Sequence, residues 1–360
     1  MTTPAYRMPA EWEPHAATWI AWPHNPEDWP GKFRPIPWVY AEIVRHLSRV
    51  EDVHILVNDQ AAERAATSVL RRSGANLART HYHHWATDRV WLRDSGPIFV
   101  KDAQGDLAVT NWKFNAWAKY DNWRRDDLVP HHVAKLYNIP EIKPEIDLGE
   151  GKPHRILLEG GSIDTNGAGI LLTTEECLLS EVQQRNPGLG DETTTRAHLE
   201  TAFHDYLGIA QTLWLHRGCA GDDTHGHVDD ISRFVAENTI LTCVEPNTAD
   251  ENHLPLAENL DRLRSARNRT GKGKAKPFHI VELPMPSPVY FEGQRLPASY
   301  ANFYIANSLV LVPTFNDAND RRALDIVADL FPTRQIVGIH AVDLVWGLGT
   351  LHCLSQQEPA

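Results

Sequence analysis

Apolar and polar positions recur along the chain in one order: a strand-like run ending in Asn, Asp or Pro, a polar stretch, an amphipathic helical period and a second strand-like run. The first copy goes from ATWIAWPHNPEDW (17–29) through PWVYAEIVRHLSRV (37–50) to VHILVND (53–59). The second is DLAVTNWKFNAW (106–117) followed by DDLVPHHVAKLYN (126–138). The third joins GILLTTEECLL (169–179), TTRAHLETAFHDYLG (194–208) and TLWL (212–215). NTILTCVEPNTAD (238–250), AENLDRLRSAR (257–267) and FHIVELP (278–284) form the fourth, and SLVLVPTFNDAND (308–320), RRALDIVADL (321–330) and QIVGIHAVDLV (335–345) the fifth. The copies share a pattern, not residues. A doubly wound α/β sheet alternates in the same way, but here the strand ends carry Trp, Asn, Asp and Glu, and neither GxGxxG nor GxxxxGK(S/T) occurs. Nucleotide binding by the usual loops is therefore disfavoured. A cyclic arrangement of five such units would aim the strand ends at one axis. No Gly-, Ser- or Pro-rich linker divides the chain, so residues 1–360 read as a single catalytic domain.

Charge narrows the class of partner. Among 360 residues, 47 are acidic and 35 basic, a formal charge of −12. Nucleic-acid binding needs a basic face, so the expected partner is neutral or cationic. With 42% hydrophobic and 23% charged residues the chain can bury a sizeable core. The start MTTPAYRMPAEWEPH lacks a signal-peptide pattern and no apolar run is long enough to span a bilayer. The expectation is a soluble, cytoplasmic protein with no membrane partner. The basic stretch RSARNRTGKGKAK (264–276) reads as a solvated loop. Cys177, Cys219, Cys243 and Cys353 are scattered without CxxC pairs, which argues against a disulfide framework or a thiolate zinc site.

Four segments set polar residues among Gly, Pro and aromatics. In WLRDSGPIFV (91–100), Asp94 precedes a Gly-Pro turn and an apolar strand, a place for a cap or for a functional carboxylate. In LLEGGSIDTNG (157–167), Glu159 follows an apolar run and precedes two glycines that permit close backbone approach. GDDTHGHVDDISRFV (221–235) holds Asp222, Asp223, His225, His227, Asp229 and Asp230 ahead of an apolar strand, and buried charges need partners. Read as extended chain, alternation places Asp223, His225, His227 and Asp229 on one face. THGHVDD also differs only at its last position from the THxHxDH pattern of metallo-β-lactamase-like hydrolases, so a zinc hydrolase stands as a reading of another class. In VWGLGTLHCLSQQEPA (345–360), Cys353 sits past a Gly-rich turn beside His352, either a half-buried terminal thiol or a reactive one. A thiol, a proton-shuttling His and at least three carboxylates together suit a planar guanidinium. Two carboxylates can grip its nitrogen edges while its central carbon stays open to sulfur.

With these residues in place, the chain resembles the agmatine deiminases and the related bacterial peptidylarginine deiminases. The resemblance rests on MPAEWEPHAATWIAWP, WLRDSGP, KFNAW, LEGGSIDTNGAGILLTTEECLL, GHVDD, ASYANFYIAN and LHCLSQQEP, and so spans nearly the whole length. It implies the α/β pentein fold, a five-bladed pseudo-symmetric propeller of ββαβ-type units around a central active site. It implies Cys353 as nucleophile, Asp94 and Asp229 as the carboxylates holding the guanidinium, and Glu159 and His227 as the remaining catalytic pair. No metal or organic cofactor is implied, and a homodimer is the candidate assembly. Asp223 is a candidate for the far amine of an agmatine-like substrate, and Trp91 and Trp117 for its methylene path. Three features depart from the agmatine pattern: His225 before the Gly of the His motif, Ser162 after the two glycines, and AKYDNWRRDD (118–127) after FNAW. Arginine, peptidylarginine or a longer guanidino amine therefore stand beside agmatine as substrates.

Overall fold

The computed structural model describes residues 4–149, 151–270 and 275–360. The five sequence copies form five sheets with one shared pattern: a first strand antiparallel to a second, a crossing helix, and a third strand parallel to the second. Ile98–Asp102 opposes Leu107–Thr110, the helix Val129–Tyr137 follows, and Glu141–Ile142 lies parallel. That closing strand of the second copy is only two residues long, and the sequence pattern had marked none there. Asp164–Thr165, Ile170–Thr174, the helix Glu192–Leu207 and Gln211–Leu215 repeat the order. So do Ser232–Ala236, Thr239–Val244, His253–Ser265 and His279–Pro284. The last of these is Tyr304–Ile305, Leu309–Thr314, Asp320–Leu330 and Gln335–His340. The first copy, His15–Ala21 with the helix Ile36–Leu47 and Asp52–Leu56, takes its antiparallel strand from Ser355–Pro359, with Thr18 opposite Gln357.

Local chemistry explains the boundaries. The second strands are parallel to one neighbour and covered on both faces, so Leu309–Thr314 is buried along almost its whole length and reads as a continuous apolar run. Asp191 caps the helix Glu192–Leu207 by accepting from Thr194 N at 2.8 Å, and Gly208 ends it at φ +73°. A Cβ on Gly208 would lie 2.4 Å from Tyr6 O, so the same glycine lets the N-terminal segment pass. Described residues of the basic stretch are not a loop: the helix runs to Ser265, and Arg267–Asn268 pairs with Lys276–Pro277. Residues 271–274 of that stretch lie outside the described residues. Among the described residues no helix is long and apolar enough to cross a membrane.

One cation ties the layers together. Arg233, in the strand Ser232–Ala236, is fully buried; its Nε donates to Asp164 Oδ2 and its Nη2 to Glu11 Oε2, both at 2.6 Å. Nη1 donates to Phe303 O at 2.9 Å, so one guanidinium joins three units and the N-terminal segment. A buried ion pair that loses one partner leaves an uncompensated charge. Arg233→Met, similar in length but neutral, is expected to lower the unfolding free energy by about 3–5 kcal/mol. Urea denaturation followed by tryptophan fluorescence measures it, and an unchanged midpoint would show that Arg233 carries no such role.

Candidate active site

Each unit sends one loop toward a common space, and the polar residues on it lie just ahead of the unit's first strand. Asp94 precedes Ile98–Asp102, Glu159 precedes Asp164–Thr165, and His227 and Asp229 precede Ser232–Ala236. Asn302 precedes Tyr304–Ile305, and Cys353 precedes Ser355–Pro359. The repeat pattern aims strand-end Trp, Asn, Asp and Glu at one axis, whereas these residues sit in the loops that enter the first strands, as the apolar runs after Asp94 and Asp230 indicate. His227 lies at the middle, wholly buried. Its Nδ1 is 3.7 Å from Asp94 Oδ1 and 4.0 Å from Asp229 Oδ1, and its Nε2 is 3.6 Å from Glu159 Oε2. Among the described residues, both ring nitrogens, Glu159 Oε2 and Asp229 Oδ1 find no hydrogen-bond partner although they are buried. Unpaired polar groups at this depth call for a ligand.

Backbone choices make the approach close. Gly161 N donates to Asp94 Oδ1 at 3.0 Å, and a Cβ there would stand 2.6 Å from His227 Nδ1 and 2.7 Å from Asp94 Oδ1. Only glycine fits between them. Ser162 continues the turn, its hydroxyl donating to Glu159 O at 2.6 Å. Residues 223–230 are not extended, which overturns the one-face alternation. His225 adopts φ +63°, Gly226 φ +99°, and Val228–Asp230 form a 3₁₀ turn. Asp222 Oδ2 shapes this bend by accepting from Gly226 N at 2.8 Å and His227 N at 2.9 Å. The bend sends His225 to Ser180 Oγ at 3.3 Å rather than beside His227, so the THGHVDD segment does not assemble the two-His zinc pattern.

Several residues that the sequence reading left without a role hold the centre in place. Asn302 Nδ2 lies 3.0 Å from Cys353 Sγ and 2.9 Å from Asp230 Oδ1, while its Oδ1 accepts from Thr350 Oγ1, His352 N and Cys353 N. His352 Nδ1 stands 2.6 Å from Asp229 Oδ2 and its Nε2 2.8 Å from Glu11 Oε2. Arg185 Nε donates to Glu159 Oε1 at 3.0 Å, leaving Oε2 to face the histidine. Three of these were within recognised motifs, Glu11 in MPAEWEPH, Asn302 in ASYANFYIAN and His352 in LHCLSQQEP; Arg185 lay in none.

The centre opens through a cavity of about 220 Å³ lined by Trp91, Asp94, Trp117, Asp223 and Cys353, among others. Trp117 belongs to a run, Ala116–Ala118, with φ of 50°, 59° and 55°. Left-handed non-glycine residues are costly, and here they turn the indole so that Nε1 donates to Asp94 Oδ2 at 2.9 Å. Asp223 stands at the mouth, but it is already bonded to Lys119 Nζ and to Tyr120 Oη, the latter at 2.7 Å. Arg89 also lines the mouth, bonded to Asp28 at 2.8 Å.

Electrostatics follow from packing anions out of water. Burial raises the Asp94 pKa to about 6, although His227 opposes it. Burial disfavours the charge on Glu159 too, but Arg185 and His227 overcome this and bring it down to about 2. For the neighbouring Asp229 and Asp230 the direction splits. Burial works against Asp229, yet His352 pulls it below the ordinary range, whereas burial and the charge of Asp229 push Asp230 far up. Burial likewise opposes a charge on His227, but Asp94, with Cys177 and Glu159, holds its pKa well above the usual value. The Cys353 thiol is driven far up by burial and by Asp229, Asp230 and Asp94. At neutral pH the centre thus holds a protonated imidazole, three carboxylates and a neutral thiol.

A family profile described as Porphyromonas-type peptidyl-arginine deiminase matches residues 7–359. The agmatine deiminase of Pseudomonas aeruginosa (strain LESB58) is 32% identical over 378 aligned positions, covering 99% of this chain and 96% of its own. The solved agmatine deiminase of Enterococcus faecalis superposes with a TM-score of 0.85 at 29% identity, covering 99% of this chain and 96% of that one. A cysteine-to-serine variant of the C. jejuni agmatine deiminase, solved with substrate bound, gives 0.83 at 27% identity and the same coverage.

A neutral, buried thiol among carboxylates makes a definite prediction about reactivity. At pH 7 Cys353 is expected to alkylate with uncharged iodoacetamide at least about tenfold more slowly than an exposed thiol. A haloacetamidine, which brings its own positive charge, should react about 10–10³ times faster than iodoacetamide. Peptide mass spectrometry at Cys353 reads both rates, and equal rates for the two reagents would contradict the charge assignment.

Proposed function

The chain belongs to the Porphyromonas-type peptidyl-arginine deiminase family, and from that membership we propose that it is a cysteine-dependent deiminase. It hydrolyses a guanidino group to a ureido group plus ammonia, with agmatine as substrate and N-carbamoylputrescine as product. The relatives named agmatine deiminase along the full chain support the substrate. The observation that carries the reading is the buried ring of unpaired atoms, Glu159 Oε2, Asp229 Oδ1 and both nitrogens of His227, beside the Cys353 thiol. The five sheets are taken to surround one axis as a five-bladed propeller, a single domain over 1–360. The protein is read as a cytoplasmic homodimer that needs no metal or organic cofactor and acts on a small cation.

In this mechanism the arriving guanidinium supplies positive charge that offsets the three carboxylates. Asp94 and Asp229 hold its nitrogens, and the Cys353 proton leaves for solvent as the thiolate becomes stable beside a cation. Sulfur bonds to the guanidinium carbon and forms a neutral tetrahedral adduct. His227 gives its proton to the departing nitrogen, ammonia leaves, and an S-alkylthiouronium cation remains on Cys353. The now neutral His227 takes a proton from water as the oxygen attacks the same carbon. Collapse forms the ureido carbonyl, its hydroxyl proton leaves for solvent, and the C–S bond breaks to return the thiolate. Glu159, held by Arg185, orients His227 and offsets its charge.

Substrate choice is decided at the mouth. Asp223 is the candidate for the far ammonium, and the Lys119 ammonium now bonded to it must yield its place. Arg89 and Lys119 favour a second reading, a guanidino substrate that carries a carboxylate. A panel of agmatine, arginine, peptidylarginine and longer guanidino amines, scored for ureido product, separates them: agmatine should lead, and a panel led by arginine would overturn the assignment. Cys353→Ala should lower kcat by at least about a thousandfold. Turnover that survived it would end the proposal.

The pH dependence has a fixed sign. A carboxylate with a raised pKa is ionised only above that value, and Asp94 must be ionised to hold the guanidinium. Because Cys353 also gives up its proton on binding, kcat/KM for agmatine should decline as pH falls, and below about 6 protonation of Asp94 should steepen that decline by roughly a further tenfold per unit. A profile flat to pH 4.5 would contradict this role.

A further inference from the structure

Cys177 takes no part in the proposed reaction, yet its thiol faces the same buried space. It lies in the short helical turn Glu175–Leu178, which Thr174 caps by accepting from Cys177 N at 3.1 Å. That turn follows the strand Ile170–Thr174 and sets the sulfur against the His227 ring. Cys177 Sγ, a His227 ring nitrogen and a Glu159 carboxylate oxygen all lie within 4.8 Å of one another. Each of the three residues is at least nine-tenths buried, and among the described residues Glu159 Oε2 and both His227 nitrogens find no hydrogen-bond partner. His227 Nε2 and Glu159 Oε2 are 3.6 Å apart. Around a tetrahedral zinc ion with bonds of about 2.0–2.3 Å, neighbouring ligand atoms stand roughly 3.3–3.8 Å apart. A second cluster, Asp229, Asp230 and Cys353, spans a similar distance, but His352 holds Asp229 Oδ2 and Asn302 holds Asp230 Oδ1.

From this geometry we propose that Glu159, Cys177 and His227 form an inhibitory binding site for a thiophilic divalent cation, with zinc as the ion that fits. Thiolate, imidazole and carboxylate are the borderline-soft donors that zinc takes, and the anionic surroundings favour a double charge. Binding releases the Cys177 thiol proton and the His227 ring proton to solvent. A metallated His227 can neither protonate ammonia nor accept a proton from water, and the ion's charge excludes the guanidinium. Metal binding stands by itself; only its inhibitory consequence rests on the deiminase reading.

Cobalt and zinc titrations of the purified chain test the site with separate readouts. Cobalt should give a thiolate-to-metal charge-transfer band that persists in Cys353→Ser and disappears in Cys177→Ser. Zinc should bind one equivalent and suppress ureido formation in step with occupancy, with recovery on chelation. Its affinity should fall at least about tenfold in Cys177→Ser, and agmatine should raise the zinc concentration needed. A band lost in Cys353→Ser but kept in Cys177→Ser would make the nucleophile the ligand and overturn the proposal. So would normal turnover in saturating zinc. A band with the expected cysteine dependence in a protein that deiminates nothing would confirm the metal site and sink the deiminase reading alone.

Discussion

The structure depends on one constraint: three ionised carboxylates, an imidazole and a thiol share a deeply buried space, where an unmatched charge is expensive. The surrounding polar contacts follow from it. Arg185 neutralises Glu159 from behind. His352 is hydrogen-bonded to Asp229 and to Glu11, which Arg233 holds. Asp94 is bonded to Trp117 and Gly161 N and faces the His227 ring at 3.7 Å, yet burial still raises its pKa to about 6. Asp94 is thus the carboxylate most in need of an incoming cation.

That imbalance links architecture to chemistry. Five short loops, each anchored by the first strand of a sheet, bring their residues to within hydrogen-bonding distance or slightly beyond it, so the centre is held rigid while staying short of positive charge. Under the proposed function, a substrate carrying a delocalised cation completes it. In the proposed reaction the same cation would convert Cys353, whose pKa burial and the carboxylates hold high, from an unreactive thiol into the nucleophile. In that proposal His227, whose pKa its neighbours hold high, begins as an acid and becomes a base only after it has given its proton away.

Much of this was legible in the sequence, for physical reasons. The repeated elements showed because strands covered on both faces read as apolar runs, as Leu309–Thr314 does. Glu159 showed because two glycines follow it, and Gly161 is indeed the residue whose Cβ would collide with His227. Asp94, His227, Asp229 and Cys353 stood out as polar residues at Gly-rich turns, and the structure gathers them with Glu159. The bend at 225–226 was missed, since an alternation rule assumes extended chain and positive φ at His225 breaks it. Asn302 and Arg185 gave no local signal of their roles. Their partners Cys353 and Glu159 are distant in sequence, and only the fold makes them neighbours.

The central claim is that Cys353 stays protonated until a guanidinium enters the anionic centre. Infrared difference spectroscopy at pH 7 tests it directly, comparing free enzyme with enzyme saturated by an unreactive guanidino ligand. One S–H stretching band should be lost on binding, and Cys353→Ala should lack that band from the start. A free enzyme in which Cys353 shows no S–H band, or one whose band survives saturation, would contradict the account.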